Sequence, residues 1–176
     1  MTTTTTQNRT LAGTGYPAPA GLATPTDLQP NEQQAIAEAI NPLIADAIAL
    51  YVKTKNYHWH LSGPHFRDYH LLFDEQADQL LASVDLLAER MRRIGCTTIR
   101  SLGHVQKLTH VADDQEDEVA PRDMVRRLLD DNHQMARSFR QAISVCESNH
   151  DSVTANVIQE LLDQTEKRVW FLFEIS

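Results

Sequence analysis

The sequence predicts an all-α protein built as a bundle of four long helices. Apolar residues recur with a helical period in four long stretches, and no stretch alternates as a half-buried strand would. Turn residues at 62–64 and 149–151 make the first and third connections short, whereas residues 95–120 make the second one long. A long middle connection allows the second and third helices to run parallel.

Proline marks the limits of the first two helices. Pro42 interrupts the first apolar run, so we expect a lead-in helix at 31–40 and a main helix at 42–61, or else a single kinked helix. Asn41 is a good N-cap for the main helix, since its side chain can accept from the first turn. Pro42 would then occupy the first helical position, where Pro is tolerated. The second helix is predicted at 64–94, where no further Pro or Gly interrupts the pattern.

The second half of the chain is divided by similar signals. Residues 99–110 are weakly amphipathic and predict a short helix within the long connection. The acidic run at 113–118 is expected to be a solvated loop whose charge favours the next helix N-terminus. Pro121 begins the third helix, and Asp151 is the expected N-cap of the fourth.

Composition places these helices in one domain. The chain has 176 residues, of which 41% are hydrophobic, enough for a single core. Residues 1–30 are rich in Thr, Pro, Ala and Gly, so we expect a flexible N-terminal tail, or one that packs only on an assembly. The predicted bundle domain is therefore residues 31–176.

Charge and cysteine content indicate the compartment and exclude some partners. The formal charge of −8 should repel nucleic acid and anionic membranes. Cys96 and Cys146 are too few for a disulfide framework, and we interpret them as reduced thiols of a cytoplasmic protein. No secretory signal follows the first Met, and no apolar run approaches the roughly 20 residues of a membrane span.

Four metal-binding side chains lie on one stripe of the second helix. At 100° per residue, His70 and Asp74 fall at about 0° and 40°, while Asp85 and Glu89 fall at about 60° and 100°. The two pairs are nevertheless roughly 16 to 22 Å apart along the helix axis. One chain cannot close both pairs around a small metal site, but two antiparallel copies related by a two-fold axis could.

The residue types favour a transition metal. Imidazole and carboxylate together suit iron, manganese or zinc better than calcium or magnesium. Polar pairs four residues apart are also common on exposed helix faces, so either pair alone is weak support for a site. Asp78 projects near the stripe as a bystander or an auxiliary ligand. His58 and His60 end the first helix about 200° apart, so we do not expect them to share one ligand role, and His60 joins Asp78 as an auxiliary candidate.

The region around these residues resembles a known family. Residues 53–76 (KTKNYHWHLSGPHFRDYHLLFDEQ) and 85–95 (DLLAERMRRIG) closely resemble the Dps family, the DNA-protection proteins from starved cells or miniferritins. Further similarity lies in SLGHVQKLTHV of the connection and EKRVWFLF of the fourth helix. The resemblance implies a ferritin-like four-helix bundle with a short helix in the connection between helices two and three. The family's five metal ligands match His58, His70, Asp74, Asp85 and Glu89.

The resemblance also implies an activity. Such proteins form hollow homododecamers in which each di-iron ferroxidase site lies at a two-fold interface. Zinc or manganese are the possible substitutes for iron at this site. His58, His70 and Asp74 would come from one subunit, and Asp85 and Glu89 from its mate. Family members oxidise Fe(II), preferentially with hydrogen peroxide, and store the ferric product, which protects DNA and the cell from oxidative damage.

Two departures from the family pattern bear on its other functions. Members that bind DNA generally use Lys/Arg-rich termini, whereas the first 30 residues here contain only Arg9 as a basic residue. This argues against the alternative function, a nucleoid-associated DNA-binding protein whose protection is mainly physical. Glu147 and Asp151 match the acidic region of the family's iron pore, although Ser152 and Asn156 replace Asp residues of some relatives.

Overall fold

The computed structural model describes residues 16–176, and over this range the chain forms helices and no strand. Four long helices build the bundle, and a short one lies in the connection between the second and third of them, as predicted. A 3-10 turn precedes them at Ala20–Leu22. The helices are α1 (Pro30–His60), α2 (Phe66–Arg93), α3 (Leu102–Leu108), α4 (Pro121–Ser148) and α5 (Ser152–Glu174).

Ion pairs between the helices show their relative directions. Lys53, near the end of α1, binds Asp131 in the first half of α4 at 2.7 Å, so α1 and α4 are antiparallel. Arg90, near the end of α2, binds Asp151 just before α5 at 2.9 Å, so α2 and α5 are antiparallel. Since short loops also make α1–α2 and α4–α5 antiparallel pairs, α2 and α4 run parallel. The predicted crossover is confirmed.

α1 continues through Pro42 as a single helix, so the separate lead-in helix is wrong. Asn41 is not an N-cap, because its Nδ2 donates to the Ala37 carbonyl oxygen at 2.9 Å within the helix. Pro42 has no backbone N–H, so one backbone hydrogen bond of the helix is missing at this position. Fully buried side chains on both sides of it, including Ile40 and Ile44, keep the helix against the core.

α1 is also apolar enough to cross a membrane by length and composition alone. Its best window of 18 residues has a mean hydropathy of 1.5. However, 56% of that window is buried inside the bundle. Burial of this kind is typical of the central helix of a packed core.

The segment before α1 lies against the bundle over residues 16–29. Tyr16 is buried, and its carbonyl oxygen accepts from the Thr97 backbone N–H at 2.8 Å, while the Ala18 N–H donates to the Gly95 carbonyl at 2.9 Å. This contact differs from the predicted flexible tail, because the segment covers the end of α2 within its own subunit. Residues 1–15 of the predicted tail lie outside the described residues, and a domain boundary at residue 31 stays a prediction.

The long connection is bound to the bundle by its acidic residues. Asp114 accepts hydrogen bonds from the buried Tyr57 hydroxyl and from Arg127 Nη1, the latter at 2.6 Å. Arg127 also binds Glu116 at 3.1 Å. The expectation of a solvated loop is therefore wrong for Asp114, whose side chain is only 4% exposed.

Gly95 allows a close approach that any other residue would block. Its φ is 76°, and a Cβ built on it would lie 2.8 Å from the Thr24 carbonyl oxygen. We expect Gly95→Ala to lower the free energy of unfolding by about 2–3 kcal/mol, since it combines left-handed strain with a backbone clash. Gly63 is the matched control, with a φ of 103° and nothing within 4 Å of its Cβ position. Urea unfolding measures the free energy of unfolding of Gly95→Ala and Gly63→Ala. Equal losses in the two variants would show that the clash with the Thr24 carbonyl oxygen contributes nothing.

Candidate metal centre

His58 at the end of α1 and His70 in α2 hold each other in one orientation. His58 Nδ1 lies 2.9 Å from the His70 carbonyl oxygen, and His70 Nδ1 lies 3.0 Å from the His58 carbonyl oxygen. The rings stack with their centroids 3.7 Å apart. A carbonyl oxygen only accepts, so Nδ1 carries the hydrogen in both rings and donates it. In the neutral form of each ring, the lone pair on Nε2 is then available to bind a metal.

Asp74 lies one helical turn after His70 and completes this group. Its Oδ1 is 3.8 Å from His58 Nε2 and also accepts a hydrogen bond from Lys55 Nζ. The Lys55 ammonium holds the pKa of the Asp74 carboxyl below its ordinary value. The carboxylate thus remains ionised and ready to bind a cation. We call His58, His70 and Asp74 the histidine half-site.

Asp85 and Glu89 form a second group farther along α2, which we call the carboxylate half-site. Both side chains are exposed. Glu89 Oε2 accepts from Arg93 Nη2 at 2.8 Å in a pair that is more than half exposed on both sides. An exposed pair of this kind is weak, so Arg93 can release Glu89 at little cost.

The two half-sites do not meet within one subunit. Within residues 16–176, no three His, Cys, Asp or Glu side chains come close enough together to hold a metal. This agrees with the axial separation expected from the sequence. Within the described residues, neither half-site alone brings three such side chains together around one metal ion.

The surface around both half-sites is suited to contact with another subunit. Large apolar side chains lie exposed beside the ligand residues, although apolar groups on a monomer surface are usually dispersed. Exposed apolar side chains gathered around a site are typical of a surface that contacts another protein or a ligand. The exposed apolar side chains near the half-sites are Trp59, Phe66, Leu71, Leu81 and Leu86.

The other predicted site residues have different surroundings. Asp78 is exposed, one turn after Asp74 on the same face of α2. His60 is exposed and turns back on its own helix, with Nδ1 2.9 Å from the Asn56 carbonyl oxygen. It therefore points away from His58, as the helix geometry predicted.

The two residues of the predicted iron pore also differ from each other. Glu147 is exposed near the end of α4. Asp151 is buried at 4% exposure, caps α5 by accepting from the Thr154 N–H at 2.9 Å, and binds Arg90. Its role as a cap is confirmed. Because its carboxylate is occupied within the subunit, Glu147 is the accessible one of these two residues.

Three side chains next to the half-sites were not predicted. Lys55 binds Asp74, Phe66 stacks on His70 with centroids 5.0 Å apart, and Arg93 binds Glu89. Sequence spacing contains a signal for all three. Lys55 precedes His58 by three residues, Phe66 precedes His70 by four and Arg93 follows Glu89 by four, which places each pair on one helix face.

Comparisons with known proteins agree with this architecture. The ferritin-like domain family matches residues 37–175. DNA protection during starvation protein 1 of Deinococcus radiodurans is 30% identical over 145 residues, covering 82% of this chain and 70% of that protein. The chain belongs to the Dps family. This confirms both the resemblance seen in the sequence and the all-α ferritin-like fold.

Solved Dps structures have the same arrangement of helices. DpsC from Streptomyces coelicolor is 26% identical with a TM-score of 0.86, covering 94% of this chain and 95% of its own. The Dps protein of Vibrio cholerae O1 is 25% identical with a TM-score of 0.80, covering 86% and 96%. The latter is described as a member of a broad superfamily of ferritin-like diiron-carboxylate proteins.

Proposed function

We propose that this Dps protein oxidises Fe(II) at sites formed between two subunits. The histidine half-site of one subunit would face the carboxylate half-site of its partner, and Fe(II) would bind between them as the substrate. The reciprocal hydrogen bonds of His58 and His70 are the observation that carries this proposal. They fix both imidazoles in the tautomer and orientation that a metal ligand needs before any metal arrives.

Hydrogen peroxide is the proposed oxidant, with oxygen as a slower substitute. One peroxide takes one electron from each of two Fe(II) ions and two protons, and is reduced to water without release of hydroxyl radical. Few protein ligands surround each iron, which leaves positions open for the oxidant. The ferric product would be stored inside the shell, so DNA and the cell are protected chemically.

The proposed active form is a homododecamer in the cytoplasm. Two-fold contacts would complete the iron sites, and three-fold contacts near Glu147 would form the route for iron. We expect no stable binding to DNA, because the formal charge is −8 and the first 30 residues contain a single basic residue, Arg9. Metal analysis of the purified protein would distinguish iron from zinc or manganese.

Loss of the carboxylate half-site tests the assignment. We expect Asp85→Ala with Glu89→Ala to slow peroxide-driven Fe(II) oxidation by at least about 100-fold, since even partners outside the ligand shell often contribute 10–100-fold. Stopped-flow absorbance, with peroxide and with oxygen, measures the rate. Asp68→Asn with Glu118→Gln is the matched control, because it also removes two exposed carboxylates. Unchanged kinetics in an assembled double variant would contradict the assignment.

A further inference from the structure

Arg168 of α5 is buried without an acidic partner. It is only 4% exposed, and within the described chain its hydrogen-bond partners are all neutral. Nε donates to Asn132 Oδ1 at 2.8 Å, and Nη2 donates to Thr165 Oγ1 at 2.7 Å. Burial lowers the pKa of the guanidinium to about 10, so it remains charged at neutral pH. Arginine is seldom buried so deeply without a counter-charge.

A small pocket opens beside this guanidinium, between α2 and α5. Its volume is about 10 Å³, so it can hold a single small molecule or ion but no larger group. Gln76 lines the pocket at 3% exposure, and its Nε2 has no hydrogen-bond partner. Arg168 Nη1 reaches only Gln79 Oε1, at 3.5 Å. Two buried donors next to one pocket therefore lack a good acceptor.

The charges at the mouth of the pocket offset each other. Glu75 accepts from Gln79 Nε2 at 3.2 Å, which turns the Gln79 amide oxygen towards Arg168. Lys167 lies over the Phe171 ring, 5.3 Å from its centroid. One exposed anion and one exposed cation thus lie at the mouth, and the guanidinium inside it is the uncompensated charge.

We infer that this pocket binds a small monovalent anion of halide size, held by Arg168 and the Gln76 amide. A water molecule would accept hydrogen bonds from both groups but would leave the buried positive charge uncompensated. A halide does both, because it accepts several hydrogen bonds and carries the opposite charge. The site lies on the buried side of α2 and is separate from both half-sites. Because Gln76 belongs to α2 and Arg168 to α5, a bound anion would stabilise the packing of these two helices.

Thermal unfolding of the full-length protein in different sodium salts tests the site. At equal ionic strength, chloride or bromide should raise Tm by about 2–4 °C relative to gluconate, which is too large for the pocket. Arg168→Met and Gln76→Leu should each abolish the halide-specific rise. Lys167→Met is the matched control and should keep it, because that exposed cation would contribute only to general screening.

A crystal structure in bromide gives a second measurement that does not depend on the variants folding. An anomalous peak within hydrogen-bond reach of Arg168 and Gln76 Nε2 is expected. Three results would overturn the inference: equal Tm values in chloride and gluconate, a pocket that holds only water in bromide, or a Gln76 side-chain oxygen that accepts directly from Arg168.

Discussion

Two inactive variants of this protein should regain activity when they assemble together. One carries His70→Ala with Asp74→Ala in the histidine half-site, and the other carries Asp85→Ala with Glu89→Ala in the carboxylate half-site. A two-fold dimer contains two such sites, so in a mixed dimer one site combines both defects and the other combines two intact half-sites. Random pairing of equal amounts makes half of the dimers mixed, so about one quarter of the wild-type rate should return.

A matched control distinguishes activity that returns through intact pairs of half-sites from activity that returns whenever two variants are assembled together. A chain with all four substitutions, assembled with the Asp85→Ala/Glu89→Ala chain, contains no intact pair of half-sites and should stay inactive. Stopped-flow Fe(II) oxidation with peroxide measures the rate, and size-exclusion chromatography verifies that each mixture forms the same shell. If the first mixture is as inactive as the control, each site is built within one chain and the shared-site proposal is wrong.

The sequence predicts the helices well because their signals are local. Pro121 and Gly95 lie within a few residues of helix ends that the structure confirms. The stripe of His70, Asp74, Asp85 and Glu89 depends only on helix geometry. The separate lead-in helix expected before Pro42 is wrong, because a local rule for proline does not measure how strongly the flanking apolar residues hold the helix in the core.

Contacts that join distant parts of the chain could not be predicted in the same way. Arg168 meets residues of α2 and α4, and their positions depend on the packing of the whole bundle. Tyr16 docks on the end of α2, although its flanking composition resembles that of a mobile tail. Asp114 belongs to an acidic run that looks solvated, yet its side chain is buried against Tyr57 and Arg127.

This inward-pointing carboxylate gives the second large expected effect. Arg127→Met should lower the free energy of unfolding by about 2–4 kcal/mol, because it leaves the buried Asp114 carboxylate without its cationic partner. Arg126→Met is the matched control. Arg126 pairs with Asp123 at 2.9 Å on the surface, where such a pair contributes about 0–1 kcal/mol. Urea unfolding at neutral pH should show a clearly larger loss in the free energy of unfolding for Arg127→Met than for Arg126→Met.

The difference in the free energy of unfolding between wild type and Arg127→Met should depend on pH, and this dependence identifies the Asp114 carboxylate as its cause. Burial alone would raise the pKa of this carboxyl, but hydrogen bonds from Tyr57 and Arg127 outweigh burial and hold the pKa below its ordinary value of 3.8. The stabilisation is therefore complete well above pH 3.8 and is lost as the pH falls through the lower pKa of the folded protein. The gap between wild type and Arg127→Met should narrow in acid. A gap that persists at the same size in acid would show that Arg127 acts through packing of its side chain rather than through the charge of Asp114.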